Sequence, residues 1–301
     1  FKAGSRTSTF VEFVDLVPTV LSLAGIDIPK SIDGKPFLGK KLKKSELEKR
    51  NSAFGYADRF DEKYDLVRSL RKGKYKYMRN YQPFNVDGLY NFYRYKMLAY
   101  KEWYTLFQDG KLNDIQSQFF KPKSPESLYN IEEDPHETTN LANDIAYNDI
   151  LLTMREDLNN HLMSINDLSF LPEPYFLKNG IDDVVEYSAQ NKTLIKKLIE
   201  MSNLQLKDYD EVSSQIKKAL DHDNPWVRYW GLIVCSSFGS KAMENKDKIN
   251  VIFENDSENL VRMRAAEFML LNDIELSDSK INSLLKRSNF EAEANLMLNT
   301  L

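Results

Sequence analysis

The spacing of hydrophobic residues changes several times along the chain, and each change predicts a different element. Phe10 to Val14 is aromatic and β-branched and predicts a short strand. Asp15 then offers an N-cap, and Pro18 falls in a first helical turn, where its missing N–H is not needed. Leu16, Val20, Leu21, Leu23 and Ala24 give that helix an apolar face, and Gly25 is its expected stop. A loop punctuated by prolines and glycines follows, then the charged run "KKLKKSELEKR".

From Asn51 the period becomes two. "SAFGYA" predicts a strand, and "YDLVRSLRKGKYKYMRNY" predicts a β-hairpin. In it Leu66, Arg68 and Leu70 alternate with Val67, Ser69 and Arg71, Lys72-Gly73-Lys74 turns, and Tyr75, Tyr77 and Arg79 return. Leu89 to Phe120 predicts a helical insertion rich in Tyr and Trp. "ESLYNI" predicts another strand, and "AYNDILLTMREDLNNHLMSI" a helix. The two prolines of "LPEPYF" predict a boundary. Beyond Gly180 the pattern is helical and repeats: Val227 falls on Val261, Arg228 on Arg262, Gly231 on Ala265 and Leu232 on Ala266, an offset of 34 residues. An Asp/Asn-Pro entry and small residues at helix crossings resemble HEAT-like repeats, with a plain helical bundle as the alternative.

Composition narrows the function classes. The 301 residues suffice for two domains, and 42% are hydrophobic, enough for a real core. A net charge of -4 argues against a dedicated nucleic-acid binder. The single cysteine, Cys235, excludes an intrachain disulfide framework and multi-cysteine metal sites. Its apolar helical run "WGLIVCSSF" predicts a buried, inert thiol. No apolar run reaches the roughly 18 residues of a membrane span.

The sequence contains no self-sufficient catalytic set. His136, His161 and His222 lie far apart, without metal-ligand neighbours at helical spacing. No GxSxG, P-loop or dinucleotide fingerprint is present. "YADRFDE" is expected to place Asp58, Arg59 and Asp61 in a loop after a strand. There arginine can take a sulfate or carboxylate in a two-pronged contact, and the carboxylates can accept from sugar hydroxyls. The opposite reading is a surface ion-pair loop. Arg68 faces either a cleft or solvent, depending on register. Tyr90, Phe92, Tyr93, Tyr95, Tyr100, Trp103 and Tyr104 either stack on a sugar or, as the stronger expectation, pack between helices. Trp226, Tyr229 and Trp230 are expected to fill a helix interface, and the recurring Arg228 and Arg262 to form a salt bridge or cap in each repeat.

Three stretches together resemble sulfatases of the alkaline-phosphatase-like superfamily. "FVEFVDLVPTVLSLAGIDIPKSIDGKPF" is similar to the segment that ends their large domain. "VRSLRKGKYKYMRNY" is similar to a hairpin of their smaller subdomain, and "ESLYNIEEDPHETTNLAND" to their closing signature. The resemblance covers Phe1 to Leu168 and is nearest to bacterial sulfatases similar to heparan N-sulfatases. It implies an α+β chain. Residues 1–40 would end a truncated α/β catalytic domain and residues 41–170 would form a C-terminal subdomain with a small antiparallel sheet; residues 171–301, by their own periodicity and outside the resemblance, would be an all-α HEAT-like repeat domain. It implies hydrolysis of sulfate esters or N-sulfates of a glycan such as a glycosaminoglycan, with periplasmic or secreted localisation. In this family the nucleophile is a formylglycine made in a C/S-x-P-S/A-R motif, and calcium polarises the sulfate. Both belong to the N-terminal part, and this sequence has no such motif. The fragment is therefore expected to be catalytically inactive and without metal ligands, and to contribute substrate-binding residues Asp58, Arg59, Asp61 and Arg68. Packing against a larger sheet would leave the Phe10 to Gly25 segment apolar and exposed here. A protein partner on the repeats is a further expectation, a nucleic-acid partner is not, and the alternative function is a non-catalytic helical-repeat interaction module.

Overall fold

The computed structural model describes residues 4, 6–40, 42–60, 63–89 and 91–301. Helices α1 (Leu16–Ala24) and α2 (Lys44–Leu47) precede strands β1 (Ser52–Phe60), β2 (Lys63–Lys72) and β3 (Tyr75–Asn80). The insertion carries α3 (Phe92–Tyr95), α4 (Leu98–Gln108) and α5 (Asp114–Ser117), and then come β4 (Glu126–Asn130) and α6 (Asn148–Ile165). The rest is helical: α7 (Glu173–Asn179), α8 (Val184–Ser202), α9 (Tyr209–Leu220), α10 (Pro225–Phe238), α11 (Lys246–Asn255), α12 (Asn259–Leu271), α13 (Asp278–Leu285) and α14 (Glu291–Thr300). The strands form an antiparallel sheet in the order β1-β2-β3-β4, so the chain is α+β. Two compact units result. One holds residues 1–56, 68–78 and 127–158; the other holds residues 57–67, 79–126 and 159–301. All four strands contribute residues to both units.

In the first unit, the predicted strand at Phe10 to Val14 is absent. Residues 10–12 belong to no strand, although Glu12 has an extended backbone, and Phe13–Asp15 is a 3-10 turn. A strand needs a neighbour to take its N–H and C=O groups, and here Phe54 N–H instead donates to the Glu12 carboxylate at 2.8 Å. Nor does Asp15 cap α1 with its side chain. Its carboxylate accepts from Glu12 N at 3.2 Å and Lys35 N at 2.7 Å, and pairs with Arg50 at 3.4 Å. Gly25 ends α1 in the left-handed region, φ 75°, as a C-cap glycine should. The helix buries Pro18 and Thr19 and exposes Phe13 (91%), Val17 (57%), Val20 (64%) and Leu23 (60%) beside and along its length.

The hairpin is as the alternation predicts. Tyr64, Leu66, Arg68 and Leu70 are the buried positions of β2, and Gly73 turns at φ 56°. In the turn after β4 several polar residues have structural tasks. Asp134 accepts from Thr139 N at 2.8 Å and Thr138 Oγ1 at 3.1 Å, which holds its carboxyl below the ordinary value. Glu137 pairs with Lys76 of β3 at 2.7 Å. Asn140 accepts from Leu128 N of β4 at 3.0 Å, and Leu141 N donates to Leu128 O at 2.8 Å. The closing stretch "DPHETTNL" therefore folds back and is pinned to the sheet.

The second unit is built around aromatic and arginine side chains. In "LPEPYF" Pro172 is the N-cap of α7 and Pro174 lies in its first turn, where proline fits. Phe170 stacks on Trp230 at 5.3 Å, and Trp230 Nε1 donates to Phe170 O at 2.7 Å. Trp226, Tyr229 and Trp230 are all buried, as expected of a helix interface. Arg79 donates to Pro125 O at 2.7 Å, Ser202 O at 2.9 Å and Gln205 Oε1 at 3.2 Å. Helices α10 and α12 start 34 residues apart (Pro225, Asn259) and pack together. Their matched arginines differ. Arg228 forks onto Asp256 at 2.7 and 2.8 Å and bonds His222 O at 2.7 Å. Arg262 makes no ion pair among the described residues and lies over Phe253, so the repeat of the cap is not observed. Cys235 is fully buried, and desolvation pushes its thiol up to about 12, consistent with an inert role.

Candidate functional site

Of the four residues singled out for binding, Asp58 and Arg59 lie at the β1–β2 end of the second unit. Asp58 and Arg59 are not in a loop, as the sequence led us to expect. They lie in β1, whose ladder continues to Phe60, because residues 63 onward supply the neighbouring strand β2. Asp61 lies outside the described residues.

Arg59 is gripped by Glu173 of α7. Its Nε donates to Oε1 at 2.9 Å and Oε2 at 3.1 Å, and Nη2 also bonds Oε2. This pairing raises the guanidinium pKa, outweighing the opposing effect of burial. The Tyr64 ring lies 5.8 Å from the guanidinium. Ser169 ties the neighbouring residues: its Oγ donates to Asp58 at 2.8 Å, and Tyr64 Oη donates to its carbonyl at 2.9 Å. Asp58 and Arg59 are thus brought together on the segment from Asp167 to Glu173, 111 and 114 residues away in sequence. Nothing local in "YADRFDE" announces this. The available signal was "LPEPYF", where a glutamate between prolines reads as a helical first turn.

Arg68 belongs to the first unit and is 1% exposed, with its guanidinium 5.3 Å from the Tyr56 ring. It faces neither cleft nor solvent. It shares the parity of Leu66 and Leu70, and that alternation was enough to place it inward.

Further charges line the second unit. Lys123 pairs with Asp65 and, at 3.3 Å, with Asp87. Burial pulls the Lys63 ammonium below the ordinary lysine value, against the pull of Glu267 and Asp65 and with the repulsion of Arg264. Arg264 is sealed in the core by Glu267 at 2.6 Å and Tyr229 Oη at 2.8 Å. No group of three His, Cys, Asp or Glu that could hold a metal ion occurs among the described residues. His222 Nδ1 accepts from Asn224 N at 2.9 Å ahead of α10, a loop role.

The aromatic set divides. Trp103 stacks on Phe119 at 4.6 Å and meets Phe120 edge-on at 5.1 Å, while Tyr95 packs on Tyr104 and donates to Gly88 O at 2.7 Å. Phe92 and Tyr93 instead point to solvent. Tyr90 lies outside the described residues.

No family model matches the chain. An ulvan-active sulfatase of Formosa agariphila is 37% identical over 173 residues, 57% of this chain and 28% of that protein. Over that half the chain is homologous to sulfatases. A second ulvan-active sulfatase of the same organism is 25% identical over 170 residues, 56% of this chain and 32% of its own length. The chain thus spans about three tenths of the curated sulfatases it matches. Among solved structures, a 2-O glycosaminoglycan sulfatase superposes with a TM-score of 0.31 at 21% identity, over 51% of this chain and 25% of that one. A Bacteroides thetaiotaomicron protein gives 0.30 at 20%, over 50% and 24%.

Proposed function

We propose that this chain is the C-terminal part of a sulfatase that removes sulfate from a glycan, outside the cytoplasm, with HEAT-like helical repeats appended. The homology to ulvan-active sulfatases over 57% of the chain carries the reading. The uncovered face of α1 supports it, because an aliphatic helix face of this size is the side on which a further α/β layer packs.

The calcium and formylglycine that the family uses do not fit the described residues. Among the described residues no three His, Cys, Asp or Glu side chains gather as a ligand group. The lone cysteine is buried, with its thiol shifted away from ionisation, and is followed by Ser-Ser-Phe. The part left to this chain is positioning. Asp58 and Arg59 form a polar edge fixed by Ser169 and Glu173. A sulfate or carboxylate reaching Arg59 would share its fork with Glu173, so Arg59 acts as an anchored positive edge rather than an open clamp.

The test is sulfate release from ulvan and from an aryl sulfate, with calcium, by the protein expressed from its complete reading frame. Release supports the reading. A complete frame with no C/S-x-P-S/A-R motif and no release would leave the helical-repeat interaction module.

A further inference from the structure

The surface of the aromatic insertion differs from the apolar face of α1. On its inner side α4 is glued to Phe119 and Phe120 by stacked rings. On its outer side Phe92 is 58% exposed, Tyr93 70% and Leu98 83%. Lys96 Nζ sits 4.0 Å from the centre of the Phe92 ring. Neither Lys96 nor Lys101 has an ion pair among the described residues, whereas the nearby acids Asp109 and Asp114 are matched by Lys111 at 2.9 Å and Lys121 at 3.6 Å. Glu102 is the one exposed acid here without such a match among the described residues. Exposed rings flanked by unpaired ammonium groups suit a ligand with apolar C–H faces and negative substituents. A pyranose presents its axial hydrogens to a ring, and its sulfate or carboxylate groups lie at the edge, within reach of a lysine. The α1 segment carries no such cations of its own, since no Lys or Arg occurs between Thr7 and Pro29.

We propose that the outer face of α3 and α4, centred on Phe92, Tyr93, Lys96 and Lys101, binds a chain of anionic sugars. The choice of a sulfated glycan over other anionic polymers rests on the function proposed above; the rings and their cations do not.

Binding of the 301-residue chain to ulvan and to chemically desulfated ulvan, by affinity electrophoresis and calorimetry at low ionic strength, tests it. The replaced side chains are exposed, so the variants should keep the parent's circular dichroism and melting temperature. F92A/Y93A should bind ulvan about tenfold more weakly. K96Q/K101Q should flatten the salt dependence and lose the preference for the sulfated polymer. Unchanged ulvan affinity in F92A/Y93A, or no binding by the parent chain, overturns the proposal. So does a change in self-association with glycan binding intact, which would make the face a protein contact. Ulvan binding without sulfate release from the complete protein would remove the enzyme reading and leave this surface standing. Sulfate release with unaltered binding and KM in both variants would do the reverse.

Discussion

Helix α10 buries ten of its fourteen residues, whereas α1 buries only Pro18 and Thr19 of its nine. By sequence both are apolar helices. The difference lies in what surrounds them. Within its unit α10 packs against α8, α9 and α12, and its Trp230 is fixed by both a ring and a carbonyl of Phe170. The polar side of α1 is the side held: Thr19 Oγ1 donates to Asp15 O at 2.6 Å and accepts from Phe37 N at 3.0 Å, while Leu16, Val17, Val20 and Leu23 face out. An apolar helix whose hydrogen-bonding side is satisfied and whose aliphatic side is open suits a surface built to be covered.

The largest test of that contrast is Trp230→Ala. It removes a buried ring and its hydrogen bond and should cost about 3–5 kcal/mol, read by urea denaturation. A cost under 1 kcal/mol would mean that α10 is not core. Arg79→Ala should come next at about 2–4 kcal/mol, because it strands the carbonyls of Pro125 and Ser202 in a buried setting.

A pH titration sharpens the same point. The folded thiol of Cys235 ionises only near 12, above its reference of 9.0. Between those values the unfolded chain loses the proton and the folded chain keeps it. Stability is therefore unaffected by this group below pH 9 and falls as pH rises from 9 towards about 12. Cys235→Ala should remove that component of the slope, and native protein should resist thiol reagents at pH 8 until denaturant is added.

Smaller effects belong to the exposed pair and the open face. A double-mutant cycle on Arg59 and Glu173, each about 30% exposed, should give a coupling below about 1 kcal/mol. Val20→Asp should alter the stability of this chain by no more than about 0.5 kcal/mol and should raise its solubility. A loss comparable to that of Trp230→Ala would show that the α1 face is already covered, and the contrast would fail.

Local pattern made much of this fold legible. The period-two run from Tyr64 to Leu70 gave the hairpin; its parity also held the inward Arg68, which the sequence reading had instead left between cleft and solvent. The 34-residue offset anticipated the equivalent starts of α10 and α12. What escaped the sequence were relations that local pattern does not encode. Phe10 to Val14 has strand chemistry but no neighbour to pair with. Asp58 and Arg59 look like loop residues until β2 extends β1 beneath them. Their partners Ser169 and Glu173 are more than a hundred residues away. Arg262 matches Arg228 in position, but where Arg228 finds Asp256 the equivalent position in the next copy is Phe290, which offers no carboxylate.

The most direct measurement of the central claim is sulfate release from ulvan by the protein expressed from its complete reading frame, with and without calcium. The account predicts calcium-dependent release that is abolished by replacing the upstream C/S-x-P-S/A-R nucleophile. A complete protein that has no such motif and releases no sulfate would contradict it.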